Sequence, residues 1–96
     1  MPGATLHVEH PISDFPTWKA AFDRFAAKRR EMGVTAQRIH QPQGNAAYVL
    51  LQLDFPSVGQ AQAFAAFLRE QVWKRAEASP ALAGTPRAEV LVPMEV

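Results

Sequence analysis

The chain contains no cysteine, so an internal disulfide and a thiol nucleophile are both excluded. It has no apolar run near the roughly 20 residues that span a bilayer, and its first residues lack the charged and apolar regions of a signal peptide. Its charges nearly cancel, with ten Lys and Arg against nine Asp and Glu and a formal net charge of +1. Because nucleic-acid binders depend on a strong basic excess, we expect no nucleic-acid partner. The lack of a membrane span and of a signal peptide predicts a cytoplasmic protein that does not bind membranes.

What the chain does have is enough apolar sequence for one core. Its 96 residues are 48% hydrophobic, which predicts a single domain over residues 1–96. A domain of this size buries only about 60–65% of its unfolded surface, so association is a favourable way to bury more. The densest basic cluster, Lys28-Arg29-Arg30, is followed at once by Glu31. This pattern predicts a solvated helix face.

One tripeptide occurs twice. Asp14-Phe15-Pro16 and Asp54-Phe55-Pro56 each follow a β-prone run and precede a helical pattern. We interpret the repeat as two copies of a strand–helix–strand unit. Asp is a preferred residue just before a helix, so both Asp14 and Asp54 are predicted to be N-caps.

The apolar periodicity predicts six elements. Strands are expected over residues 5–10, 34–41, 46–55 and 87–96. An apolar stripe at spacings of three and four predicts a helix over residues 15–32, ended by Gly33, and a second helix from Ser57 to a break at Ser79-Pro80. Right-handed crossovers then give an α+β, ferredoxin-like βαββαβ fold, whose first and third strands lie at the centre of a four-stranded antiparallel sheet.

The third strand also predicts a partner. Tyr48 to Leu53 is nearly all apolar, which indicates a strand covered on both faces. Two helices on one side of the sheet leave the other side open. A second copy of the sheet, packed face to face about a two-fold axis, would cover it, so we predict a homodimer.

Several segments resemble a known family. They are His10 with Asp14-Phe15, Trp18-Lys19 and Phe22-Asp23; the run from Lys28 to Val34; Leu53 to Pro56; and Ser79-Pro80 with Leu82, Gly84 and Pro86. Together they resemble small bacterial proteins of the dimeric α/β-barrel superfamily, which is related to the antibiotic biosynthesis monooxygenases and includes members labelled as cyclases. The resemblance covers nearly the whole chain.

The resemblance implies a ferredoxin-like protomer, a dimeric barrel and a pocket between the helices and the sheet. Cofactor-free quinol oxygenation, haem degradation, polyketide cyclisation and simple ligand binding all occur on this fold, so the fold does not choose among them. Haem-degrading relatives use a helical His as the iron ligand. Neither predicted helix contains a His, and we expect no cofactor.

The acid–base candidates are His7, Glu9 and His10. In a strand, His7 and Glu9 share one face while His10 points to the other. His40 lies on the second strand, about 10 Å from the first, which is too far for a shared metal ligand set. We therefore predict no metal site.

Either His7 or His10 could act as a general base, since an imidazole titrates near neutral pH. His7 is favoured because Glu9 could orient it, and His10 is the second candidate because it ends a central strand near the first helix. The alternative is that these imidazoles only hydrogen-bond to the backbone or to water at a pocket rim.

The remaining candidates are substrate-binding residues. Trp18, Phe22 and Trp73 could form apolar walls, although an aromatic residue on a helix face is also a normal core residue. Arg38 and His40 share a strand face and could hold an anionic oxygen, and Tyr48 is a further polar group near the sheet.

The predicted function is a small-molecule pocket protein. If it is an enzyme, we expect a cofactor-free monooxygenase or cyclase acting on an aromatic or polyketide-like compound. The alternative is a non-catalytic ligand-binding or assembly module. An enzyme needs a cavity that a titratable group enters, whereas an assembly module should fill that space with its core residues: Phe22, Phe25, Phe64, Phe67 and Leu68.

Overall fold

The computed structural model describes residues 3–95. Its elements in chain order are β1 (Ala4–Pro11), α1 (Phe15–Arg24), α2 (Ala26–Glu31), β2 (Ala36–His40), β3 (Tyr48–Phe55), α3 (Val58–Phe67), a π-helical turn (Leu68–Val72) and β4 (Arg87–Leu91). The strands form one antiparallel sheet in the order β2-β3-β1-β4. The predicted α+β, ferredoxin-like architecture is confirmed, with β1 and β3 at its centre.

The core lies on one face of this sheet. Opposite residues such as Leu6 and Leu53, or Val8 and Leu51, are paired across β1 and β3, and all four are buried. Both strands alternate between buried and half-buried residues along their length, as a sheet with helices on one side requires. Phe22 from α1 and Phe64 from α3 belong to the same core cluster.

The opposite face of the sheet, which we call the open face, differs from the expectation for β3. The residues that β3 presents there are Tyr48, Leu50, Gln52 and Asp54, and all are half-buried. Leu50 is the only aliphatic member of that set. The prediction that β3 is apolar on both faces is therefore wrong for most of the strand, because Gln52 and Asp54 alternate with the buried residues Leu51, Leu53 and Phe55.

The first helix is broken where the stripe predicted a continuous one. α1 ends at Arg24 and α2 begins at Ala26, with Phe25 between them. The carbonyl oxygen of Phe22 accepts hydrogen bonds from the Phe25 N–H at 3.2 Å and from Nη1 of Arg29 at 2.5 Å. A side chain that takes a helix carbonyl in this way interrupts the regular ladder. The same bond draws Arg29 inward, so the prediction of a solvated face is wrong for this residue, which is 5% exposed.

The repeated tripeptide does not occupy equivalent positions. Asp14 caps α1 as predicted, since its Oδ1 accepts from the Thr17 N–H at 2.8 Å. This bond lowers the pKa of the Asp14 carboxyl. Asp54, in contrast, lies within β3, and α3 is capped by Ser57 through a bond from the Gln60 N–H at 3.2 Å. The prediction that Asp54 is an N-cap is therefore wrong: the second copy is shifted by three residues toward the N-terminus of its unit.

The second helical segment is shorter than predicted, since α3 and the π-helical turn end at Val72 and not at Ser79. The other edges differ modestly from the predicted ranges. β4 ends at Leu91, two residues before Pro93, which has no N–H to extend a strand ladder. Val96, the last residue of the predicted strand, lies outside the described residues. Gly33 follows α2 with φ of 100°, a conformation that glycine adopts freely. None of the helices in the described part of the chain has both the length and the apolar character needed to cross a membrane.

A candidate ligand-binding cavity between the helices and the sheet

A cavity lies between the helices and the sheet, where the family resemblance implies a pocket. Its volume is about 70 Å³. Its floor comes from the buried faces of β1 and β3, including Val8, Leu51 and Leu53. Its aromatic walls are Trp18, Phe22, Phe25, Phe64, Phe67 and Trp73. The core aromatic residues therefore line this space and do not fill it.

Two aromatic residues of the walls are placed by helical spacing. Trp18 and Phe22 are four residues apart on α1, so their rings lie over one another, with centroids 5.0 Å apart and planes tilted by 18°. The ring of Trp73, just beyond the π-helical turn, lies 6.5 Å from the imidazole of His10. Trp18 lies at the same centroid distance from that imidazole. The two tryptophans thus flank His10 at the cavity.

His10 is the titratable residue of β1 that lines this cavity. It is 4% exposed, and its Nδ1 lies 3.0 Å from the carbonyl oxygen of Pro11. A carbonyl can only accept, so Nδ1 carries the proton of the neutral ring and Nε2 carries the lone pair. Within residues 3–95, every fully buried polar side-chain atom has a partner. Nε2 has no such partner there, so it is not fully enclosed by protein, and His10 lines the cavity.

Burial also sets the charge of His10. It lowers the pKa of the imidazole below its ordinary value, and the bond to Pro11 opposes this effect only in part. A low dielectric disfavours the imidazolium cation. At neutral pH, the cavity therefore contains a neutral imidazole whose Nε2 can accept a proton.

Arg29 is the second titratable group at the cavity and carries a positive charge. Its Nε donates to Oε1 of Gln37 at 3.0 Å, its Nη1 donates to the carbonyl of Phe22, and its Cζ lies 3.6 Å from the centroid of the Phe22 ring. Burial lowers its pKa, and the charge of Asp23 opposes that shift. Arg29 is not among the site residues predicted from the sequence. The signal for it was its position in the apolar stripe of the first helix, four residues after Phe25.

His7 lies on the open face, with the sheet between it and the cavity. Its Nε2 is 2.8 Å from Oε2 of Glu9, as predicted for an oriented imidazole, and its Nδ1 is 3.3 Å from Nε2 of Gln52. Tyr48 donates to the other oxygen of Glu9 at 3.1 Å. The bond to His7 lowers the pKa of Glu9, and desolvation, followed by the bond to Glu9, raises the pKa of Tyr48. Both ring nitrogens of His7 are thus engaged within the protein.

Arg38 and His40 also lie on the open face, because they pair with Gln52 and Leu50 across β2 and β3. Arg38 makes a two-pronged contact with Asp54, at 2.8 and 3.0 Å, which lowers the pKa of Asp54. Its charge is therefore already matched. Arg38 and Asp54 also line a second, wider depression of about 550 Å³ at that face.

The predicted site residues thus divide into two groups. His10, Trp18, Phe22 and Trp73 meet at the cavity. His7, Arg38, His40 and Tyr48 lie on the other side of the sheet, and no single site within one protomer contains both groups. Among residues 3–95, no group of three His, Asp or Glu side chains is close enough to hold a metal ion.

Solved structures share this architecture. SnoaB, a cofactor-independent oxygenase from Streptomyces nogalater, is 16% identical, with 100% of this chain and 97% of that chain covered and a TM-score of 0.71. A dimeric ferredoxin-like protein from an uncultured marine organism is 12% identical, with complete coverage of both chains and a TM-score of 0.64.

A third similar structure contains a ligand. The monooxygenase ActVA-Orf6 of Streptomyces coelicolor, in complex with nanaomycin D, is 20% identical, with 99% of this chain and 90% of that chain covered and a TM-score of 0.63. No family model and no curated protein matches the chain. At these identities the likeness concerns the fold, and the chain has the ferredoxin-like α+β fold of these proteins.

Proposed function

We propose that this protein binds a small aromatic or polyketide-like molecule in the cavity and acts on it as a cofactor-free monooxygenase or cyclase, with His10 as the general base. The observation that carries the proposal is the neutral His10 imidazole in the lining of an apolar cavity, held through Nδ1 and without a partner at Nε2 among residues 3–95. An imidazole in this state is suited to take a proton from a bound phenol or enol. Two of the similar structures are oxygenases by name, which supports the reaction class.

The chemistry follows from that proton transfer. Removal of a proton from a phenol leaves an electron-rich anion that can reduce O₂ without a metal or a flavin. In a monooxygenation, one oxygen atom ends as a carbonyl on the ring carbon and the other leaves as water, and the substrate supplies all the electrons as it becomes a quinone. In a cyclisation, the enolate carbon instead attacks a carbonyl of the same molecule. His10 could serve either reaction.

The size of the cavity sets a condition on the ligand. About 70 Å³ is smaller than the 150 Å³ engineered cavity that holds one benzene ring in another protein. A ligand of one ring or more therefore requires the walls to move. Trp73 and Leu82 are half-buried, and both belong to the stretch of mostly irregular chain between α3 and β4, which makes that stretch the element best suited to move.

The alternative function, a non-catalytic ligand-binding or assembly module, makes a different demand on the core. An assembly module needs no cavity, and the phenylalanines that would have filled it line it instead. This favours ligand binding over assembly alone. Ligand binding without turnover remains the competing outcome of the experiment below.

We also propose that the protein acts as a homodimer that packs open face to open face. The apolar residues Leu91, Val92 and Met94 at the end of β4 are 39%, 51% and 81% exposed, and Leu50 lies at the middle of the open face. A partner sheet would cover such residues, and one of the similar structures is described as dimeric. Residues 1–96 as one domain, a cytoplasmic location and the absence of nucleic-acid and membrane partners stay predictions.

The test uses a panel of naphthols and dihydroxynaphthalenes. Binding is followed by the fluorescence of Trp18 and Trp73, and turnover by oxygen consumption together with quinone absorbance. We expect the wild-type protein to bind and to oxidise at least one member. We expect His10→Asn to bind it with similar affinity. Turnover by this variant should be at least about 100-fold slower, which is the effect of losing a general base.

His7→Asn is measured in the same assay, because His7 is the other candidate base. Loss of turnover in His7→Asn with normal turnover in His10→Asn would move the chemistry to the open face and contradict the proposal. Binding without any oxygen consumption or cyclised product would establish the non-catalytic alternative. No binding by any member would remove the cavity as the site.

A further inference from the structure

We propose that Arg29 makes the cavity selective for ligands that carry one anionic oxygen, such as a phenolate, an enolate or a carboxylate. This inference rests on the proposed function, because it concerns the same cavity. It goes further by naming the charge of the ligand and the residue that recognises it.

Among the described residues, the charge of Arg29 has no direct counter-charge. Within residues 3–95, the five ion pairs shorter than 4.0 Å involve other side chains. Asp23 acts on Arg29 only at longer range. A buried cation without a partner is costly, and a bound anion would relieve that cost.

The guanidinium also has hydrogen-bonding capacity to spare. Its bonds to Gln37 and to the Phe22 carbonyl use two of the five N–H groups of an arginine. The other three have no partner among the described residues. Since no fully buried polar atom there is unpaired, the second terminal nitrogen is not fully enclosed by protein, and Arg29 lines the cavity. A planar fork with free N–H groups is the geometry that binds carboxylate and phenolate oxygens best.

The guanidinium is held in place. Phe22 contacts it through its ring, at 3.6 Å from Cζ, and through its carbonyl. The ring of Phe22 in turn stacks with that of Trp18. A recognition group that is fixed before the ligand arrives loses little freedom on binding.

Arg29 and His10 have different roles at the cavity. A neutral imidazole that takes the proton of a phenol becomes a cation, and burial disfavours that charge. Arg29 is a permanent cation at the same cavity and can bind the oxygen anion that the proton leaves. The two side chains would therefore act together, His10 on the proton and Arg29 on the oxygen anion.

The experiment compares para-nitrophenol with nitrobenzene, which has nearly the same ring and no ionisable group. Titrations are made at a pH at which free para-nitrophenol is half ionised, so that the phenolate absorption band reports its ionised fraction. We expect the wild-type protein to raise that fraction and to bind the phenolate at least about tenfold more tightly than nitrobenzene, the effect of one charge-assisted hydrogen bond. Arg29→Met should abolish both the preference and the rise in ionised fraction.

Because Arg29 also holds the junction of α1 and α2, Arg29→Met can lose binding through misfolding. Gln37→Glu avoids this problem, since it keeps every bond of Arg29 and places a carboxylate at the position of the Gln37 amide, 3.0 Å from Nε. We expect it to weaken phenolate binding about threefold or more and to leave nitrobenzene binding unchanged. Gln43→Glu, in the turn between β2 and β3, adds the same charge away from the cavity and should change neither.

The outcomes separate this inference from the proposed function. If nitrobenzene binds and the phenolate is not preferred, the cavity binds ligands but Arg29 does not select them, and the inference is overturned. It is likewise overturned if Gln37→Glu leaves phenolate binding intact while Arg29→Met weakens both probes equally. If neither probe binds to the wild-type protein, the proposed cavity fails and the inference fails with it.

Discussion

The Nδ1 atom of His10 lies 3.0 Å from the carbonyl oxygen of Pro11, the next residue in the chain. This short-range bond determines which ring nitrogen carries the proton and leaves the lone pair on Nε2. Pro11 is the last residue of β1, and its carbonyl also accepts from the Ala83 N–H at 3.2 Å. The strand thereby positions the imidazole and fixes its tautomer together.

A first prediction concerns pH and the stability of the fold. Because burial lowers the pKa of His10 in the folded state, the unfolded chain binds the extra proton more readily. The free energy of unfolding should therefore fall as the pH drops from about 6.5, the ordinary pKa of His, toward the lower folded value. Urea denaturation over this range should show a steeper decline for the wild-type protein than for His10→Asn. Parallel curves for the two proteins would contradict the depressed pKa.

A second prediction concerns access to the cavity. Ala78 is a half-buried lining residue in the irregular stretch after α3. In Ala78→Phe the added ring should occupy the cavity, so that ligand binding measured by tryptophan fluorescence falls at least about tenfold. The extra volume should lower the free energy of unfolding by no more than about 3 kcal/mol, because the site is only half-buried.

Ala83→Phe is the matched control, since Ala83 is exposed and outside the cavity lining. It should bind ligand as the wild-type protein does. Equal loss of binding in both variants, or none in Ala78→Phe, would show that the ligand site lies elsewhere.

A third prediction separates Asp54, from the second copy of the tripeptide, from Ser57, the helix cap that follows it. Ser57→Ala removes the N-cap of α3 and should lower the free energy of unfolding by about 1 kcal/mol at any salt concentration. Asp54→Ala removes a partly exposed partner of Arg38, so its effect should shrink in high salt. Urea denaturation at low and high salt measures both. Asp54 also accepts from the Thr5 hydroxyl at 2.8 Å, so part of its effect should persist in high salt. A loss in Asp54→Ala that does not shrink at all in high salt would contradict a stabilising ion pair with Arg38.

A fourth prediction tests the homodimer. Leu50→Glu places a charge at the middle of the open face and should shift the protein toward the monomer in sedimentation at micromolar concentration. Val58→Glu changes a 38% exposed residue of α3, on the helical side of the sheet, and should leave the dimer intact. A wild-type protein that sediments as a strict monomer would contradict the proposal.

Much of the architecture is readable from local patterns. The alternation in β1 places His7 and Glu9 on one face and His10 on the other, and the structure has this arrangement. The order of the strands follows from crossover handedness, and the helix cap at Asp14 follows from its place before an apolar stripe. These features depend on the period of the chain and on residues within a few positions, so they can be inferred without a structure.

Only part of the candidate site could be predicted from the sequence. Trp18, Phe22 and Trp73 were expected at a pocket and line the cavity, but Arg38, His40 and Tyr48 were placed in the same set and lie across the sheet. The open-face pairs join residues that are distant in sequence: Arg38 with Asp54, and Tyr48 with Glu9. Strand registers create those pairs, and registers are not visible in the pattern of any single strand.

The sequence by itself determined the order of the elements and the face on which each strand residue lies, because side-chain direction has a period of two in a strand and 3.6 in a helix. Only the tertiary structure decided that Arg29 is buried, that Asp54 binds Arg38 instead of capping a helix, and that a cavity remains beneath Trp18 and Trp73. Each of these features depends on the distances between the packed helices and strands. Those distances are determined by all the core contacts together, which the local sequence pattern does not contain.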